Sequence, residues 1–363
     1  MFFSVSTGID QRFPNNYQTN NLWVNCDNGW IRSDTTFYKG YNDNYCKITV
    51  DATGAKIEHS TFRSFPLWSD NGIITNISAM RTTHWIDDLV SMNRLGEIIV
   101  TKSNLDLTVP DNSLTIGQAQ TLIRQRLDTK LVQLPKNIKL FCSGGIDTLL
   151  LYSMLAGRYS FELVTDGHYE QDGFTEKNQL LLNKFWAYKQ IHHWTSLSWL
   201  ATGSHGDEYF LRGPTIIGIL TSWHNINFSE LLADNPNAYH YHYFNKFPEL
   251  WKTAWDNRHR LQEEYPTIDA LNYQIMNMLV NDHQHWHLGN TLTWTPYKDI
   301  EIARILLQCS INDLLPQFID GRLSKDLIID YNPNIIDYLS QYKNHNAREN
   351  LPKLHEYHRK TLG

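Results

Sequence analysis

Cysteine is scarce: Cys26, Cys46, Cys142 and Cys309 stand far apart, with no C-x-x-C among them. That excludes a disulfide scaffold and a cysteine zinc site, and it fits a reduced, cytoplasmic chain. A run of about 18 apolar residues is missing, so no membrane-spanning helix is expected. The start, Met1-Phe2-Phe3-Ser4-Val5, lacks a basic n-region and a long apolar stretch, so no secretory signal is expected either. Positive charge is not in excess. The 32 Lys and Arg face 38 Asp and Glu, a net charge of −6, which leaves no basic surface for nucleic acid.

What is present points to a well-packed protein. The 363 residues are 13% aromatic, with 12 Trp and 19 Tyr, enough length and apolar surface for two domains. Residues 1 to about 104 read as β-rich. Short runs at Trp30–Arg32, Cys46–Val50, Ala55–His59 and Gly72–Ile77 are separated by Asn, Asp and Gly. Asp51-Ala52-Thr53-Gly54 has the composition of a hairpin turn, and Arg63–Gly72 reads as a strand leading into a tight turn and a further strand. An amphipathic helix follows at Thr115–Leu134, where Ile116, Ala119, Leu122, Ile123, Leu127 and Leu131 recur near helical spacing.

The most informative stretch comes next. Ile138–Cys142 is an apolar run of strand length, followed by Ser143-Gly144-Gly145 and a helix from about Asp147 to Leu155. Paired glycines permit a sharp turn and bring backbone N–H groups close to a ligand. The helix start adds free N–H groups and the positive end of its dipole. The Ser143 and Thr148 hydroxyls can add bonds, and Asp147 can hold a cation that shares the anion's charge. The G-x-x-x-x-G-K-[ST] phosphate loop does not occur here. A second stretch, Trp199–Phe210, also runs from an apolar strand through Gly203 and Gly206 into the acidic pair Asp207-Glu208.

The first stretch resembles S-G-G-x-D-[ST], the pyrophosphate loop of the N-type ATP pyrophosphatases. The second is similar to S-G-x-G-[AS]-D-E-x-F of asparagine synthetases and β-lactam synthetases, with His205 where Gly is usual and Gly206 where Ala or Ser is usual. Together they identify the chain as resembling that family. The resemblance implies an α/β fold: a parallel-sheet, adenine nucleotide α-hydrolase-like domain with a helical C-terminal part over residues 105–363, after a smaller β-rich domain at 1–104. It implies ATP and Mg2+ as cofactors. Ser143, Gly144, Gly145, Asp147, Thr148 and Gly203 would bind the triphosphate, and Asp147 and Asp207 the metal. Leu163, Val164 and Thr165, at the end of a strand at Ser160–Thr165, would meet the adenine. A helix at Phe174–Ile191 and a strand at Thr195–Thr202 would lead into the second loop.

Further matches are partial. Pro296, Tyr297 and Asp299 fit the family's G-V-E-A-R-x-P-F-L-D segment, but its Glu falls on Leu292 and its Arg on Trp294. Ser324–Leu327 looks like a K-x-x-x-R helix without its Arg. Lys343 would match the lysine that stabilises charge during attack on the α-phosphorus. The N-terminal region is weakly similar to a glutamine-amidotransferase domain at Arg63–Gly72. It has Phe2 where an active glutaminase places its cysteine, and internal Cys26 and Cys46 have no free α-amine. A non-hydrolysing version of that domain and an unrelated β-domain both stay open.

The implied activity is amide formation: a small-molecule carboxylate is activated as an acyl-adenylate with release of pyrophosphate. Ammonia, an amine or the product of a separate glutaminase then attacks. Amino-acid biosynthesis is the default setting, and a homo-oligomer is left open. Three other readings remain: a pyrophosphatase-loop enzyme acting on a nucleobase or tRNA, a catalytically silent nucleotide-binding relative, and a structural or interaction protein. The histidines at 240, 242, 283, 285 and 287 read as chance neighbours in an aromatic chain, since side chains two apart diverge on a helix.

Overall fold

The computed structural model describes the chain apart from residues 1–2, 12, 27–29, 42–43, 60–66, 71–72, 76–83, 87–88, 94, 96, 102–105, 112, 133, 135–137, 143, 165–198, 204, 237, 239–247, 281–292, 343–346 and 363. The fold is mixed α/β, with a β-rich N-terminal region and a helical C-terminal part. Two compact units divide the chain. The first holds Met1–Asp106, Phe174–Trp199 and Asp282–Thr293; the second holds Leu107–Gly173, Leu200–Asn281 and Trp294–Gly363.

In the first unit twelve strands are described: β1 Phe3–Ser6, β2 Asn15–Thr19, β3 Leu22–Cys26, β4 Ile31–Ser33, β5 Thr36–Tyr41, β6 Asn44–Val50, β7 Gly54–His59, β8 Leu67–Asp70, β9 Ile73–Thr75, β10 His84–Ile86, β11 Leu89–Asn93 and β12 Ile98–Thr101. They form two six-stranded sheets, ordered β10-β8-β9-β1-β3-β2 and β12-β11-β7-β6-β5-β4. Alternate residues point the same way from a strand, so Phe3 and Val5, Leu22, Val24 and Cys26, Cys46, Ile48 and Val50, and Ala55 and Ile57 share one buried cluster drawn from both sheets. The expected turn at Asp51–Gly54 is present. Asp51 Oδ1 accepts the Thr53 and Gly54 N–H groups at 2.6 and 3.2 Å, fixing the β6–β7 register.

In the second unit α1 spans Ile116–Leu131. Its start is set by a capping box in which the Gln118 N–H reaches Thr115 Oγ1 at 3.3 Å and the Thr115 N–H reaches Gln118 Oε1 at 2.9 Å. Then come β13 Ile138–Phe141, α2 Ile146–Leu155, β14 Glu162–Val164, β15 Trp199–Ala201 and α3 Gly206–Tyr209. A helical run follows: α4 Pro214–Trp223, α5 Phe228–Ala233, α6 Glu249–Asp256, α7 Arg258–Glu264 and α8 Ile268–Val280. After β16 Thr293–Trp294 the helices are α9 Ile300–Leu306, α10 Ile311–Asp320, α11 Arg322–Tyr331, α12 Ile336–Ser340 and α13 Ala347–Leu362.

Strand order in this sheet is β14-β13-β15-β16, so the chain leaves β14 on one side of β13 and returns as β15 on the other. The pairing of β13 with β14 is parallel, Lys139 opposite Glu162 and Phe141 opposite Val164. Parallel pairing is established for that pair, a smaller statement than the parallel sheet expected. The expected helix at Phe174–Ile191 lies outside the described residues. Ahead of α12, Pro333–Ile335 forms a 3₁₀ turn.

No helix among the described residues is long and apolar enough to cross a membrane. All four cysteines are buried free thiols.

Candidate nucleotide and metal site

Helix α2 is apolar almost all round. Every residue from Ile146 to Leu155 is buried except Asp147. A helix of this kind belongs inside a protein, and it carries its one reachable carboxylate in its first turn. The approach from β13 passes the buried Cys142, whose thiol burial pushes up to about 12. Gly144 then adopts φ +75°, a conformation side chains resist. Gly145 is extended and precedes the first helical residue without a side-chain cap. Two distant residues brace the turn. The Tyr297 hydroxyl donates to the Asp147 carbonyl at 2.7 Å, and Asn350 Nδ2 donates to the Gly144 carbonyl at 3.4 Å. Thr148 is 3% exposed, and Ser143 lies outside the described residues.

The second loop leaves β15 and folds directly onto the first. At Gly203 a Cβ would stand 2.8 Å from the Thr148 backbone nitrogen; at Gly206 it would stand 2.2 Å from the Asp147 carboxyl carbon. Both glycines are therefore required by close approach. Two non-glycine residues that bracket α3, His205 and Leu211, hold left-handed backbones at φ +69° and +57°, conformations uncommon for residues of this size.

The two loops are joined by a residue that motif reasoning missed. Arg212 is fully buried; its guanidinium hydrogen-bonds Asp147 Oδ1 through Nη2 and forms an ion pair with Asp207 Oδ1, which lies 3.1 Å from Nη1. One guanidinium thus meets a carboxylate from each loop. Burial pushes the Asp147 carboxyl up to about 7; Arg212 opposes that rise, and Asp207 and Glu208 add to it. The Asp147 side chain is still 15% exposed and that of Asp207 38% exposed, so both can be reached from outside.

The remaining expected residues divide. Leu163 and Val164 end β14 opposite Leu140 and Phe141 of β13, which leads into the first loop, while Thr165 lies outside the described residues. Lys343 lies outside them too. Its neighbour Tyr342 is described: burial holds its hydroxyl well above the usual range, Tyr338, Asp147 and Asp207 add to that, and Arg212 opposes it. Residue 342 thus senses the charges of both loops. Leu292 and the five histidines fall outside the described residues, whereas Trp294 is 5% exposed. Lys325, within the expected lysine helix, pairs with Asp320 at 2.6 Å.

A separate cavity of about 460 Å3 involves Asp111, His224, Asp269, Asn272 and Asp313 and shares no lining residue with the loops. Neither a protein-family model nor a curated protein matches the sequence. The reading of the site therefore rests on its residues and geometry. Among the described residues no group of three or more His, Cys, Asp or Glu is arranged to hold a metal by itself. Two carboxylates are what magnesium takes from a protein when phosphate oxygens and water complete its shell. Asp147 and Asp207 fit that role.

Proposed function

We propose that the chain is an ATP-dependent carbon–nitrogen ligase of the asparagine-synthetase kind, with the second unit as its nucleotide-binding domain. The observation that carries this reading is the meeting of the two glycine-bearing loops, with Gly206 packed on Asp147 and Arg212 ion-paired with Asp147 and Asp207. The strand order supports it as well. Ligands in open α/β sheets bind where the order reverses at the strand ends, and here the chain switches sides at β13.

In this reading Gly144, Gly145 and the start of α2 hold the pyrophosphate end of ATP through backbone N–H groups, with Ser143 and Thr148 beside them. Gly203 lets the second loop approach. Leu163 and Val164, at the end of β14, together with Thr165 are the residues assigned to the adenine. Asp147 and Asp207 would hold magnesium, which when bound neutralises charge on the triphosphate and on the departing pyrophosphate. Catalysis of the first step is then positioning and charge neutralisation, with Lys343 as the additional cation. The carboxylate of a small acid attacks the α-phosphorus, pyrophosphate leaves, and a nitrogen nucleophile displaces AMP. That nitrogen comes from ammonia, an amine or a separate glutaminase.

A second reading, a nucleotide-binding relative without turnover, is favoured by Leu292 and Trp294 at the positions of the family's Glu and Arg. ATP–pyrophosphate exchange scanned over a panel of carboxylic acids tests both. Exchange is expected with at least one acid, and Asp147→Ala is expected to lower it by about 100-fold or more. ATP binding without exchange would select the second reading, and exchange that survives in Asp147→Ala would defeat the assignment of the site.

A further inference from the structure

Arg212 has no exposed surface, yet it carries a charge and shares it between two acids. A buried guanidinium is tolerated only when its charge and N–H groups are matched. Its charge is matched here by the two carboxylates assigned to the metal, and both are more exposed than the arginine. The cation therefore lies on the protein side of the pair, and the carboxylates face outward.

The backbone that delivers Arg212 is held under constraint. Leu211, fully buried, has φ +57°, and the Arg212 N–H donates to the Asp207 carbonyl at 2.6 Å, closing a tight hook from Asp207 to Arg212. A bulky residue stays in such a conformation only where its surroundings enforce it. Arginine also has the one side chain suited to the task. Its planar fork presents two terminal nitrogens to two acceptors at once, whereas lysine offers a single point charge on a flexible stem.

We propose that Arg212 is a positioning residue, a fixed internal cation that holds Asp147 and Asp207 at the separation one divalent ion needs before nucleotide arrives. The proposal rests on the nucleotide-binding reading above. Without the guanidinium, Asp147, Asp207 and the nearby Glu208 repel one another, and an incoming ion must gather them itself. With it, the carboxylates are preorganised, and magnesium strengthens ATP binding at little further cost.

The test is calorimetric titration of ATP into wild-type protein, Arg212→Lys and Arg212→Gln, each with magnesium and with EDTA, alongside thermal melting. Lysine keeps the charge without the fork; glutamine keeps a donor without the charge. Wild-type affinity is expected to rise with magnesium. In both variants that rise is expected to shrink by about 10–100-fold, the usual loss when a group that orients metal ligands is removed, while affinity in EDTA stays close to wild type. A folded variant that keeps the full magnesium effect overturns the proposal, leaving Arg212 as a structural ion pair. Failure of both variants to fold likewise assigns Arg212 to the fold and overturns it. Wild-type protein that binds no ATP under either condition sinks the nucleotide reading itself, an outcome distinct from the other two.

Discussion

Gly206→Ala is expected to abolish pyrophosphate exchange while leaving the chain folded. A Cβ at that position would stand 2.2 Å from Asp147 Cγ, 2.3 Å from Oδ1 and 2.8 Å from Cβ. One of the two loops must yield. Helix α2 is buried along its length and cannot shift cheaply, so the Asp147 carboxylate rotates away from Arg212 and the second loop backs off the Asp147 Cβ. Overpacking of this sort costs about 1–3 kcal/mol, which a domain stable by about 5–15 kcal/mol survives. The chemistry is less tolerant, because moving a reacting group by about 1 Å can cost about 100-fold in rate. Exchange assays and thermal melting on the same preparation check this. Wild-type exchange in a folded Gly206→Ala protein would show that the loops do not meet as described.

Asp299→Asn is expected to be the most damaging single change away from the loops. Asp299 has no exposed surface and serves three partners. Oδ2 meets Arg126 Nε at 2.5 Å and Lys130 Nζ at 3.0 Å, and Oδ1 accepts the Glu301 N–H at 3.0 Å at the start of α9. It thereby ties α1 to α9, the two elements that flank the Tyr297 brace on the first loop. Asparagine keeps the cap and removes the buried charge that Lys130 and Arg126 pair with. Breaking a buried pair costs about 3–5 kcal/mol, and the lower end is expected because Arg126 is 36% exposed and recovers hydration.

The pH dependence has a definite sign. Burial alone would raise the Asp299 carboxyl, but Lys130 and Arg126 outweigh it and hold the group below its usual value. A depressed carboxylate contributes stability that is complete above its unfolded value, about 3.9, and disappears as pH falls through the folded value. Urea unfolding should therefore show the full gap between wild type and Asp299→Asn at pH 7, and a shrinking gap below about pH 4. An equal gap at pH 3 and pH 7 would mean that charge is not what Asp299 contributes.

The two loops were legible because each has a local signature: an apolar run of strand length, glycines where the chain must turn, and acids at a helix start. The strands of the first unit were legible where side chains alternate, as in Cys46, Ile48 and Val50. They were not legible at β2, whose Asn-Asn-Tyr-Gln-Thr has little apolar character and sits at a sheet edge, half-exposed. Arg212 had no local signature at all. It is delivered by a hook that holds Leu211 in a left-handed conformation, where propensity would not place a leucine. Tyr297 was read for its place in a motif. Its hydrogen bond to Asp147 crosses 150 residues of sequence and depends on the sheet and α9 being assembled. Asp299 was matched to a functional segment, and its contacts are those of an ion-paired helix cap.

The most direct measurement of the central claim is a crystal structure with ATP and manganese, read by the anomalous signal of the metal. One manganese is expected within about 2.0–2.3 Å of oxygens from both Asp147 and Asp207, and bound to phosphate oxygens of the nucleotide. ATP held in the chain with its metal distant from either carboxylate would contradict the account.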